Sequence, residues 1–135
     1  MSFEYGRPSK RGREIWGGLV PWGRWYMPGA DKATILSTDH AVVFAGQLTM
    51  PAGEHTLYML PDPNAPKFVV NKLVGQFHTS YSPGQDLGRV DYSMKKLPAV
   101  VEQLSYSAEG KPGGGGVLKL AWDDREYSVD FIVRK

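Results

Sequence analysis

Three observations predict an all-β chain, folded as an antiparallel sandwich of jelly-roll-like or barrel-like form with eight or nine short strands. Apolar residues alternate with polar ones in segment after segment, most clearly where Val90, Tyr92 and Met94 interleave with Arg89, Asp91, Ser93 and Lys95. Turn residues recur at intervals of roughly ten positions, as small β domains require. No helical period runs beyond about two turns.

The elements follow in order. Phe3 and Tyr5, flanking Glu4, predict a short opening strand before Gly6-Arg7-Pro8. From Ala33 a strand is expected to Thr38, a turn at Asp39-His40, and a hairpin partner over 41–46. Met50 to Gly53 reads as a turn, with Gly53 free to take positive φ. His55 to Leu60 is extended and β-prone. Pro61 to Pro66 holds three prolines in six residues and can only connect. The run 67–73 is a strand, and 74–86 is polar and irregular, with a turn at Ser82-Pro83-Gly84. After the strand at 89–95 and a break at Pro98, Leu104 and Tyr106 belong to a further strand. Lys111 to Gly116 is a hairpin connection without the ending or following helix of a phosphate loop. Leu118, Leu120 and Trp122 share a face, Asp123-Asp124 is expected to turn the chain, and Tyr127 to Val133 alternates to the end.

The 135 residues predict a single domain, 1–135, in which 1–34 supplies the first strand and an aromatic loop packed on it. A formal charge of +2 is too small to imply nucleic acid or a membrane surface through bulk electrostatics. The local excess lies in Arg7, Lys10, Arg11 and Arg13, read as a solvated arm; where the aromatic segment forms a lid, Arg7 and Arg13 are expected to pair with carboxylates under it. With no cysteine, disulfides, thiolate zinc sites and a cysteine nucleophile are excluded. No apolar run approaches the ~20 residues of a membrane span, and no signal-peptide core is present.

Residues 16–34 carry the unusual chemistry. Trp16, Trp22 and Trp25, three of the four tryptophans, lie there with Arg24 and Tyr26, interrupted by glycines and prolines. Two roles suit such a segment. It can plug the open end of the core, or it can present Trp22, Trp25 and Tyr26 with Arg24 as a stacking platform for a sugar or another small ligand. Asn71, Lys72 and His78 are the expected polar companions from other loops.

The remaining chemistry is sparse. His40, His55 and His78 are too far apart for any local metal motif, and the adjacent pairs Asp39-His40 and Glu54-His55 are weak as joint ligand sets because neighbours on a strand point to opposite faces. No nucleophile elbow appears, and nothing selects a pair of carboxylates for glycoside hydrolysis. The expectation is therefore a non-catalytic binding module with no cofactor and no metal, recognising a carbohydrate or small ligand. A hydrolase built from Asp31, His78 and a strand-end carboxylate is the alternative, followed by a structural protein that associates through edge strands. Single-stranded nucleic acid has only one short basic arm to support it.

The chain also resembles a known family. Arg7-Pro8-Ser9, Gly12-Arg13, Ile15-Trp16-Gly17, Leu19-Val20-Pro21, Trp25 and Gly29-Ala30-Asp31-Lys32-Ala33-Thr34 are similar to the opening signature of the bacterial domain-of-unknown-function family 2911. Met50 to Gly53, Tyr58, Asn71-Lys72 and the strand from Leu87 to Val90 fall where similar elements occur. Tyr26 and Asp31 stand where Arg and Asn are usual. The resemblance implies a compact, mostly β domain, usually exported and so periplasmic or extracellular, and it implies no activity.

Overall fold

A computed structural model describes residues 1–112 and 114–134. The chain is all-β, and its described residues form nine strands in two antiparallel sheets that pack together and do not close into a barrel. The strands are β1 (Ser2–Glu4), β2 (Ile35–Thr38), β3 (Ala41–Phe44), β4 (Leu48–Met50), β5 (Gly53–Leu60), β6 (Lys67–Asn71), β7 (Asp86–Asp91), β8 (Ser93–Gly110) and β9 (Gly116–Arg134). One sheet runs β1-β2-β5-β6-β7 and the other β4-β3-β9-β8. Between them lies one large core, in which Leu36, Phe44, Leu57, Met59, Phe68, Leu120, Trp122 and Tyr127 are sealed from solvent. A smaller cluster of Met27, Ala33, Tyr58 and Val69 covers the outer face of the first sheet. Alternation on β5 sets this division, since Leu57 and Met59 point inward while Tyr58 points out.

Several expected connections are different in the structure. Asp39-His40 does not close a hairpin: it carries the chain from β2 in one sheet to β3 in the other. A two-residue hairpin needs positive φ at its turn, and neither residue adopts it. The hairpin is made one strand later, where Ala45 and Gly46 both have positive φ and join β3 to β4. Leu48–Met50 is thus a strand where only a turn at Met50 was expected, and β6 ends at Asn71. The alternating run at 89–95 is also shared between sheets, crossing at Tyr92 with its inward pattern intact.

β8 and β9 are long, 18 and 19 residues, rather than two short pairs. Pro98 is accommodated because β8 is an edge strand whose register shifts between Lys96 and Val101. Asp123 is a bend inside β9, at φ 56°, and not the end of a strand. The ribbon curls there until its beginning meets its end: a methyl group on Gly115 would lie 2.4 Å from the Phe131 carbonyl oxygen. Part of the 111–116 connection, Gly113, lies outside the described residues.

The basic arm is also more ordered than a solvated tail. Ser9 bridges Gln103, the Lys10 amide donates to the Glu102 carbonyl at 2.8 Å, and the Leu104 amide donates to Pro8. Among the described residues Arg7 and Arg13 do not pair with carboxylates. Arg7 donates to the Leu104 carbonyl and the Ser105 hydroxyl, and Arg13 to the carbonyls of Lys10 and Ser9. A guanidinium offers five donors in a fixed fork, and backbone carbonyls satisfy it here.

Candidate functional site

The segment 16–34 is not one platform. Its aromatic residues separate according to the strand they meet. Trp16 is buried, with its indole N–H donating to the Trp122 carbonyl at 2.9 Å and its ring crossing Trp122 at 83°. It plugs the core. Trp22, half-buried, packs on the same core and lies under the Arg125 guanidinium, 5.0 Å from its ring centre.

Trp25 and Tyr26 are held by an antiparallel bridge to β5. The Tyr26 amide donates to the Met59 carbonyl at 2.9 Å, and the Met59 amide returns a bond of 2.8 Å. The loop takes over this edge of β5 where β2 stops at its pairing with Thr56. Strand-like geometry sends successive side chains to opposite faces. Tyr26 therefore joins the main core, and burial pushes its phenol up to about 12, partly offset by Arg13. Trp25 joins the outer cluster, crossing Tyr58 at 80° and tilting against Tyr81, with ring centres 5.8 and 5.1 Å away.

The second wall comes from the loop after β6. Asn71 is completely buried and acts as its brace. It donates to the Ser82 carbonyl and the Asp86 carboxylate, and accepts from the Leu73 amide. Tyr58 donates to the Ser80 carbonyl, Tyr81 donates to Asp86, and Gln76 donates to Tyr58. Burial holds the phenols of Tyr58 and Tyr81 above their ordinary value, so both remain neutral donors. The two loops are then joined directly, the Ala33 amide to the Gln76 carbonyl and the His78 amide to the Asp31 carbonyl at 2.7 Å.

The result is a cleft of about 350 Å³ lined by Pro21, Arg24, Trp25, Tyr26, Met27, His78 and Thr79. Of the seven residues expected at a binding site, Arg24, Trp25, Tyr26 and His78 line it together. Trp22 lies with the core, Asn71 is consumed as a brace, and Lys72 is exposed, outside the cleft lining. Pro21, Met27 and Thr79 complete the wall, while Tyr58 and Tyr81 aim the indole. The inward–outward alternation of β5 was the sequence signal for Tyr58; Tyr81 carries none.

Reactive chemistry is not assembled in the same way. Among the described residues no group of three or more His, Asp or Glu side chains converges as a metal site. Asp31 lines a different groove, beside Glu4, Tyr5, Gly6, Ala30 and Lys32, and meets His78 through the backbone. His40 is exposed, and His55 is buried on the inner face of β5, with no partner for Nδ1 among the described residues. Among the described residues no helix is long and apolar enough to cross a membrane.

The class of protein defined by these features is a two-sheet antiparallel β domain whose N-terminal loop and β6–β7 loop line a small, open aromatic cleft. Residues 1–131 match the family described as Protein of unknown function (DUF2911), and the chain belongs to that family. No curated protein and no solved structure matches it.

Proposed function

We propose that this chain is a non-catalytic binding module that holds a carbohydrate or another small ligand in the cleft around Trp25. One observation carries the reading. The Trp25 indole is half-buried and wedged by Tyr58 and Tyr81, so it stands as a rigid wall beside the polar groups of Arg24 and His78. A fixed ring covers the C–H face of a sugar at little entropic cost, while adjacent donors orient its oxygens. Export to the periplasm or beyond is part of the same reading, and its support is the resemblance to a family that is usually exported.

The test is a glycan and small-molecule array probed with the wild-type chain, Trp25→Ala and Trp22→Ala. Wild-type binding that Trp25→Ala removes, and that a folded Trp22→Ala retains, supports the cleft. Binding that survives Trp25→Ala refutes it.

A further inference from the structure

We infer that the cleft selects an acidic ligand: a saccharide ring bearing a carboxylate or a sulfate, with the charged group held by Arg24. The inference rests on the binding reading above and adds the charge of its ligand. Its basis is the donor and acceptor inventory of the cleft. A neutral sugar offers hydroxyls that donate as well as accept, and carboxylates and side-chain amides are the strongest acceptors for them, ahead of a hydroxyl, a neutral imidazole or a backbone carbonyl. Among the described residues no Asp, Glu, Asn or Gln side chain lines this cleft.

Two nearby carboxylates are engaged elsewhere, and a third lines a different groove. Asp86 accepts from Asn71 and Tyr81 and faces Arg89 at 3.8 Å. Asp62 accepts from the amides of Asn64 and Ala65 in its own turn. Asp31 belongs to the groove shared with Glu4 and Lys32. Arg24 makes no ion pair among the described residues, and its guanidinium is a planar fork suited to a two-oxygen anion. A flat wall at Trp25 with an unpaired cation beside it matches a ligand with an apolar ring face and one negative edge. His78 and Thr79 remain for its other oxygens.

The experiment is calorimetric titration of the full chain with three probes: an oligogalacturonate, a heparin-derived sulfated oligosaccharide, and a neutral cello-oligosaccharide. Each is repeated with Arg24→Gln, Trp25→Ala and Lys72→Gln, the last controlling for general attraction of anions to a basic protein. One acidic probe is expected to bind at least tenfold more tightly than the neutral one, and which of the two does so separates carboxylate from sulfate. Arg24→Gln should erase that preference, Trp25→Ala should weaken all binding, and Lys72→Gln should change neither. Equal affinity for the neutral probe, lost only in Trp25→Ala, overturns the charge inference and leaves the binding reading standing. Equal losses in Arg24→Gln and Lys72→Gln also overturn it, as surface attraction. No binding to any probe overturns the inference and counts against the saccharide reading itself.

Discussion

The indole of Trp16 and the backbone of Trp122 are bonded across 106 positions of sequence, N–H to carbonyl at 2.9 Å, and the Trp122 indole in turn donates to Glu102 at 3.0 Å. This chain of two tryptophans ties the N-terminal loop to both strands of the long ribbon. Trp25, only nine residues from Trp16, is not part of it. One loop thus contributes a tryptophan to the core and another to a cleft.

That separation predicts different costs. Trp16→Ala should destabilise the fold by about 3–5 kcal/mol, since it deletes a buried aromatic and leaves the Trp122 carbonyl without its donor. Trp25→Ala should cost less, on the order of 1–2 kcal/mol, because its ring is only half-buried. Urea unfolding of both variants checks this, and a Trp25 loss as large as that of Trp16 would make both rings structural.

The curl of the ribbon predicts intolerance at two glycines. A methyl group on Gly116 would lie 2.3 Å from the Glu109 carbonyl oxygen and 2.8 Å from the Phe131 ring. Gly115, at φ 72°, approaches the Phe131 carbonyl as closely. Gly116→Ala and Gly115→Ala should each lower stability by at least about 1 kcal/mol. Gly12→Ala, also at positive φ but in open space, should cost only the backbone strain and so serves as the reference. Thermal melts rank the three.

His55 predicts a dependence on pH. Burial lowers its pKa below the ordinary 6.5, so the folded chain takes up the proton later than the unfolded chain as pH falls. Its neutral form belongs to the native state. Stability from this group is full above about 6.5 and declines on acidification through the interval down to the folded pKa, by at most about 1.4 kcal/mol per pH unit. Denaturation midpoints between pH 7.5 and 5 should fall for the wild type and fall less steeply for His55→Leu. Parallel curves would show that another group titrates.

Asn71 predicts a loop effect. It makes three bonds within the 71–86 segment from a fully buried position, and Asn71→Ala strands their partners. Each hydrogen bond lost from this part-buried set costs about 0.5–1.5 kcal/mol. Amide exchange in 72–86 should accelerate more than exchange in β9; uniform acceleration would mean that Asn71 supports the whole fold.

What the sequence disclosed and what it hid follow the same physics. Period-two alternation survives wherever a strand has one buried face, so the all-β class and most strand positions were legible, including the run through Tyr92. Alternation does not say which sheet a strand enters, and Asp39-His40 was therefore misassigned as a hairpin turn. Asp123-Asp124 has turn composition, yet β8 pairs with β9 on both sides of it, with register shifts between Lys96 and Val101 and between Val101 and Ser105, so the strand bends there and does not turn back. At the site, the aromatic loop was visible from composition. The division of Trp25 from Tyr26 needed the bridge to Met59, a contact 33 positions away. Asn71 looked like a ligand group because polar residues near loops usually face solvent, whereas this one is spent inside.

The central claim, that recognition occurs at the Trp25 wall, is tested most directly by mapping a bound saccharide with amide and indole N–H chemical shifts. The account predicts that the Trp25 indole and the amides of Arg24, His78 and Thr79 move on titration while the Trp16 and Trp122 indoles stay fixed. Shifts gathered instead around the groove of Val43, Asp130 and Ile132 on the other sheet would contradict it.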